Sequence, residues 1–341
     1  MTSPPGLRSE FELIARYFAP LTRGFPGACD LRDDAAVISP ASGCELVVKS
    51  DVIVGGVDFL PDASAGSIAR KALRVNLSDL AAKGAVPRAY LLDLMLPASI
   101  GETWLAAFAA GLARDQAEYG VHLAGGDMSA TPGPVAIAVT VFGETPLGRI
   151  IRRFDARAGD GVYVTGTIGD AALGLGVLRD GAAGLADDAA AFLLDRYHLP
   201  RPRVGLGPRL VGLATAAIDI SDGLVADLRH LCEVSGLSGT IAAAAVPLSE
   251  AARAALALDA RRRATVLGGG DDYEILFTAP PDSAARVAAL ARASGVAITA
   301  IGHVSAPAAG ERPGVRVLDE SGQSLQLAAE GWTHFGAHAP G

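Results

Sequence analysis

The sequence predicts an α+β fold in two domains, and three observations carry that prediction. Segments with strand periodicity and segments with helical periodicity are intermixed along the whole chain. The 341 residues are long for one domain and comfortable for two. Around residue 146 the run 143–148 interrupts the pattern, and the composition then turns basic at Arg149, Arg152, Arg153 and Arg157. Domains are therefore expected over 1–146 and 147–341.

In chain order, Phe11, Ile14 and Phe18 fall at helical spacing, so 10–18 reads as a short amphipathic helix. A loop over 22–31 leads to Asp33 and Asp34, which precede a strand-like run to Ile38. Residues 45–51 form an apolar strand ending on Asp51. Residues 64–83 read as a helix that is apolar on two faces and so covered on both sides: Ile68, Ala72 and Val75 on one, Leu73, Leu77 and Leu80 on the other. Asp79 lies on the first stripe, where an unpaired carboxylate is costly. Either Lys83 pairs with it at i+4 or it faces a cation in a cleft. Strands over 90–96, 121–127 and 135–142 and a helix over 102–119 complete the first half.

The second half opens with a strand over 161–164, then Gly166 and Gly169 and a helix rich in alanine and glycine. The glycines lack G-x-G-x-x-G spacing, which argues against a dinucleotide-binding fold. A helix over 189–197 follows. Ala217-Ile218-Asp219-Ile220 then alternates like a strand, and Leu224, Leu228 and Leu231 beyond Gly223 follow helical spacing. Ser221 or Asp222 stands where an N-cap is expected, and free backbone N–H groups at such a corner attract anions. The tail alternates strand and helix signals after Gly268-Gly269-Gly270-Asp271-Asp272-Tyr273-Glu274 and ends on Gly331-Trp332-Thr333-His334-Phe335.

Half the residues are apolar and 19% are charged, as in a folded protein rather than a disordered one. The formal net charge of −8 argues against a nucleic-acid partner. An acidic chain can nevertheless bind nucleotides when metal cations mediate the contact. Cys29, Cys44 and Cys232 are odd in number and form no CxxC pair, so they are expected to be reduced thiols. Residues 1–5 lack a signal design, and no apolar run approaches the roughly 20 residues of a membrane span. The expectation is a cytoplasmic protein with no membrane partner.

Asp34, Asp51, Asp79, Asp127, Asp219, Asp222 and Asp271 stand at or near the ends of apolar elements, mostly beside small residues. Carboxylates, a hydroxyl and water are the ligand set of hard divalent cations, above all Mg²⁺. Histidines in H-E-x-x-H spacing, a P-loop, a Gly-x-Ser-x-Gly elbow and the kinase catalytic-loop motif do not occur. Many carboxylates with several Mg²⁺ suit phosphoryl transfer, which depends on positioning and charge neutralisation. A phosphate acceptor fits this acid density better than a hydroxyl, because it is already largely ionised and needs no general base.

These motifs together resemble the thiamine-monophosphate kinase family, within the aminoimidazole-ribonucleotide-synthetase-like superfamily. The resemblance runs from Phe11 to Phe335. It rests on Arg32-Asp33-Asp34-Ala35-Ala36, Ser50-Asp51, Val75-Asn76-Leu77-Ser78-Asp79-Leu80-Ala81-Ala82-Lys83-Gly84-Ala85, Gly125-Gly126-Asp127, Gly159-Asp160, Asp219-Ile220-Ser221-Asp222-Gly223-Leu224 and the 269–274 run. It implies transfer of the γ-phosphoryl group of ATP onto thiamine monophosphate, giving thiamine diphosphate by in-line displacement. It also implies a homodimer in which N-terminal mixed-sheet domains pair, with a C-terminal α/β sandwich domain completing the active site.

Carried across residue by residue, the resemblance makes Asp34, Ser50, Asp51, Asp79, Asp127, Asp219 and Asp222 ligands of several Mg²⁺ ions. Gly126, Asp127, Arg153 and Ser221 become ATP contacts, with Asp222 and Arg153 acting in catalysis. Asp58, Asp271 and Trp332 fall in the acceptor pocket. The chain departs from the family pattern at Arg32, Met128, Ser129 and Asp271, at Asp58 where histidine is usual, and at Lys49 where a hydroxyl residue is common. Other ATP-using members of the superfamily, acting on a purine precursor, selenide or a carbamoyl group, and a metal-binding module without catalysis are the alternative readings.

Overall fold

In the computed structural model, which describes residues 9–182, 184–326 and 331–332, the chain divides into two units. One is Met1–Leu80 with Ala85–Gly148, the other Ala81–Gly84 with Arg149–Gly341. The expectations for residues 1–5 and for Thr333, His334 and Phe335 lie outside the described residues.

The first unit starts with α1 (Glu10–Leu13), which continues as a π-helical turn over Ile14–Phe18. Then come β1 (Cys44–Val54), α2 (Ala65–Ala82), β2 (Val86–Leu96), α3 (Glu102–Tyr119), β3 (His122–Ala130) and β4 (Ala136–Pro146). The sheet order is β1-β4-β2-β3, with β2 and β3 parallel and the other pairs antiparallel. Alternation along β4 buries Ile137, Val139 and Val141 completely. The two-faced reading of α2 holds, since Ile68, Ala72 and Val75 and also Leu73, Leu77 and Leu80 are buried. Arg74 clamps α2 to α3 through both oxygens of the buried Asp115, at 2.7 and 2.9 Å. Contrary to expectation, no strand forms over 33–38. A single backbone bond from Val37 to Gly27 anchors that run, which leaves Asp33 and Asp34 exposed.

The second unit contains β5 (Gly161–Thr165), α4 (Asp170–Asp180), α5 (Asp187–His198), β6 (Ala216–Asp219), α6 (Leu224–Ser235), β7 (Ser238–Ala242) and α7 (Glu250–Leu258). It ends with α8 (Arg263–Gly268), β8 (Ile275–Ala279), α9 (Ala284–Ser294), β9 (Ile298–Ser305) and β10 (Val315–Leu318). Six strands lie in the order β10-β7-β9-β5-β8-β6, and only β10 and β7 run parallel. Leu224, Leu228 and Leu231 of α6 pack on Val162, Ile218 and Leu276 of the sheet. Mixed sheets with helices packed on them make the fold α+β. Burial pushes the Cys232 thiol in this core up to about 12, so it is not a nucleophile. Among the described residues no helix is long and apolar enough to cross a membrane.

Candidate active site

In the first unit a cavity of about 670 Å³ brings Asp34, Gly126 and Asp127 together with Asp33 and Asp93. Its remaining wall is largely apolar and includes Phe18, Leu46, Leu91 and Phe142, as in a pocket for a small ligand. The register explains the acids. Asp93 of β2 lies opposite Asp127 of β3, so their side chains emerge on one face. Gly126, at φ 148°, lets the strands approach so closely that a Cβ there would sit 1.8 Å from the Leu92 carbonyl oxygen. The path into Asp33 and Asp34 runs through Cys29, Asp30 and Leu31, all left-handed at φ 52°, 53° and 56°. Non-glycine residues hold that conformation at a cost, and such strain clusters at binding sites.

Asp51 and Asp79 meet elsewhere in the same unit. Lys49 Nζ stands 3.0 Å from Asp51 Oδ1 and 3.0 Å from Asp79 Oδ2. Burial works to lower the Lys49 pKa, but Asp79 and Asp51 outweigh it and raise it, so the ammonium stays charged. Ser50 does not join them. It sits between exposed Val48 and Val52 and shares a 2.8 Å hydrogen bond with Thr140 Oγ1, while Lys49 and Asp51 emerge on the other face of the strand. Asp58 closes a turn, its Oδ2 accepting the Val54 N–H at 2.8 Å and its carbonyl accepting from Lys71 Nζ at 3.0 Å.

In the second unit the strand–helix corner is built as the sequence suggests, but it is capped differently. The N-cap is Gly223, at φ 130°, where a Cβ would press to 2.7 Å on the Gly268 carbonyl oxygen. Neither Ser221 nor Asp222 caps the helix. Asp227, inside α6, turns back so that one carboxylate oxygen accepts the N–H groups of Ser221, Asp222 and Gly223 at 3.0–3.1 Å. Burial raises the Asp227 pKa well above the ordinary range, with Asp222 and Asp219 adding to it, against the backbone donors. Asp219 is buried at the end of β6, and Asp222 is half-buried.

The 269–274 run lies against this corner. Asp271 N–H donates to the Ser221 carbonyl, Tyr273 N–H to Ile220, and Ile220 N–H to Glu274. Asp271 and Tyr273 are left-handed at φ 72° and 50°, and Tyr273 Oη donates to Asp271 Oδ1 at 3.2 Å. Between and beyond them, Asp272 and Glu274 are buried anchors. Glu274 takes Thr165 Oγ1 at 2.6 Å, Arg196 at 3.1 Å and Arg203. Trp332 joins the same corner through its N–H to the Asp222 carbonyl, at 2.9 Å.

Arg153 is exposed. Its turn is tied down by Ala217 N–H to the Arg152 carbonyl and by Ser235 Oγ to the Arg153 carbonyl. The structure therefore gathers Asp219, Ser221, Asp222, Asp271 and Trp332 in one unit. In the other it gathers Asp34, Gly126 and Asp127, with Asp51 and Asp79 as a separate pair. The sequence alone gives no role to Asp93 or Asp227; it marks Lys49 only as a departure from the family pattern and Tyr273 only as part of the 269–274 run. Only Asp227 had a signal, an acid one turn into a helix whose first amides needed an acceptor.

Two family models match the chain. The AIR synthase related protein N-terminal domain covers residues 32–145, and the C-terminal domain of the same family covers 157–312. A thiamine-monophosphate kinase of Caulobacter vibrioides is 40% identical over 97% of this chain and 92% of its own length. The chain belongs to the thiamine-monophosphate kinase family. Solved structures agree. The thiamine-monophosphate kinase from Stenotrophomonas maltophilia K279a, 38% identical, superposes with a TM-score of 0.78 over 86% of this chain and 91% of that one. AaThiL complexed with AMPPCP and TMP is 31% identical, with a TM-score of 0.75 over 89% of this chain and 91% of that one. As a family member the protein is an enzyme, a kinase.

Proposed function

We propose that this kinase transfers the γ-phosphoryl group of ATP to thiamine monophosphate by Mg²⁺-dependent in-line displacement. The observation that carries the reading is the second unit's corner, where Asp271 N–H holds the Ser221 carbonyl and Trp332 N–H the Asp222 carbonyl, beside Asp219 at the end of β6. A relative bound to AMPPCP, an ATP analogue, and TMP supports the two substrates.

The donor set suits Mg²⁺ in one place and not in another. Among the described residues no three His, Cys, Asp or Glu side chains converge on a closed metal site. Mg²⁺ commonly uses one or two carboxylates with water and substrate phosphates, and Asp34 and Asp127 on an open cavity fit that habit. Between Asp51 and Asp79 the Lys49 ammonium already stands. In the first unit Asp34 and Asp127 would hold an ion, and in the second unit Asp219 and Asp222 are the candidate ligands. When bound, Mg²⁺ neutralises phosphate charge so that a second polyanion can approach.

The chain's own residues then have separate tasks. Gly126 leaves its backbone open to the nucleotide, and Ser221 and Arg153 meet phosphate oxygens, the guanidinium as a fixed positive charge. Asp271 and the Trp332 face bind the thiazolium cation of the acceptor. The acceptor phosphate, with a second pKa of about 6, needs no proton removed by the protein. The open face of the four-stranded sheet, with Val48 and Val52 exposed, is the surface on which a second copy pairs. ADP release is the test. With ATP, Mg²⁺ and thiamine monophosphate the rate should rise far above the acceptor-free control; no rise above that control would sink the reading.

A further inference from the structure

Asp51 on β1 and Asp79 on α2 come from different elements, yet one ammonium lies 3.0 Å from an oxygen of each. Lys49 reaches both because residues two apart on a strand emerge on the same face. The trio is only partly enclosed, with side-chain exposures of 34% for Lys49, 39% for Asp51 and 14% for Asp79, so dissolved ions can reach it. An ion bridging the two carboxylates would need oxygens at about 2.0–2.1 Å, in the space that the ammonium occupies.

We propose that Lys49 is a built-in counter-cation, standing in place of one divalent ion between Asp51 and Asp79. Two carboxylates brought together repel, and something positive must hold them. A lysine anchored on the adjoining strand does so without any binding equilibrium. The pair is thereby assembled in the absence of metal, and this chain carries one divalent-ion site fewer than its count of acids suggests. Lys49 acts through Asp51 and Asp79 and is a positioning residue. The inference rests on reading those two acids as cation-facing, and is independent of the acceptor's identity.

Mn²⁺ alone, counted by the loss of free-ion signal in electron paramagnetic resonance, tests this on the full chain. Lys49→Met and Lys49→Gln remove the charge, and Lys49→Arg keeps it. Each neutral variant should bind one Mn²⁺ more than the parent, or bind it about tenfold more tightly, a difference of about 1.4 kcal/mol. Mn²⁺ should also raise the melting temperature of the neutral variants more than that of the parent, while Lys49→Arg behaves as the parent does. Equal Mn²⁺ binding by parent and neutral variants would overturn the proposal, as would an equal gain in Lys49→Arg. A neutral variant that fails to fold alone should fold when Mn²⁺ is added, and failure in both conditions counts against it. Because no acceptor is present, a negative ADP-release assay and a negative metal count are separate results.

Discussion

Asp222 is anchored at both ends of its backbone. Its N–H donates to Asp227 and its carbonyl accepts from Trp332, so Asp222→Asn keeps both anchors while removing the carboxylate charge. The variant should retain the wild-type melting temperature while kcat falls by about 10²-fold or more, the scale on which electrostatic groups act in transfer reactions. Unchanged kcat under saturating Mg²⁺ would remove Asp222 from the metal shell. At this scale the sequence marks acids at the ends of apolar elements but not whom they meet. Asp79 sits on an apolar stripe, where the sequence allows either Lys83 at i+4 or a cation in a cleft. The structure brings Asp79 a partner from a strand, Lys49, and Lys83 Nζ also donates to the Ala217 carbonyl. A partner across elements leaves no periodic trace, and that is also why Asp93 beside Asp127 was not visible.

At the scale of elements, the strand–helix corner depends on one buried side chain. Asp227→Ala leaves the N–H groups of Ser221, Asp222 and Gly223 without their acceptor, and each unsatisfied buried donor costs about 1–3 kcal/mol. Partial entry of water and relief of the carboxylate's own burial offset some of this, so urea denaturation should show a loss of about 2–4 kcal/mol. A loss under 1 kcal/mol would mean that the corner holds without Asp227. The neighbouring 269–274 loop makes a pH prediction through Asp272, whose pKa burial pushes well above the ordinary range, Asp170 adding to it against the Gly169 N–H. The folded state therefore holds this proton more tightly than the unfolded chain, where the value is about 3.9. Its contribution to stability is fully present below that value and is lost as pH rises towards the folded pKa. The melting temperature should fall as the pH rises above about 4, and Asp272→Asn should flatten part of that slope; parallel slopes would dissociate it from Asp272. Elements themselves were largely legible, because period-2 and period-3.6 patterns report one buried face and α2 reports two. The run 33–38 has the pattern of a strand that does not form. Its apolar residues line a cavity or stay exposed, and nothing pairs with their backbone in a ladder.

For the molecule as a whole, the same alternation that buries one face of the β1-β4-β2-β3 sheet leaves the other open. Val48 and Val52, 56% and 53% exposed, flank Ser50 and its bond to Thr140 on β1, an edge strand. Branched apolar side chains and a row of unpaired backbone groups on one edge are a liability that proteins commonly cover. The net charge of −8 offers long-range repulsion between copies but supplies nothing that covers this face locally. Pairing of two copies there would bury both valines and would fit the dimer that the family resemblance implies. Light scattering at micromolar concentration should give twice the chain mass for the wild type. The double variant Val48→Lys with Val52→Lys should give the single-chain mass with its melting cooperativity retained, because each buried ammonium would cost several kcal/mol without a partner. A wild type that is monomeric, or a double variant that still pairs, would move the interface away from this face.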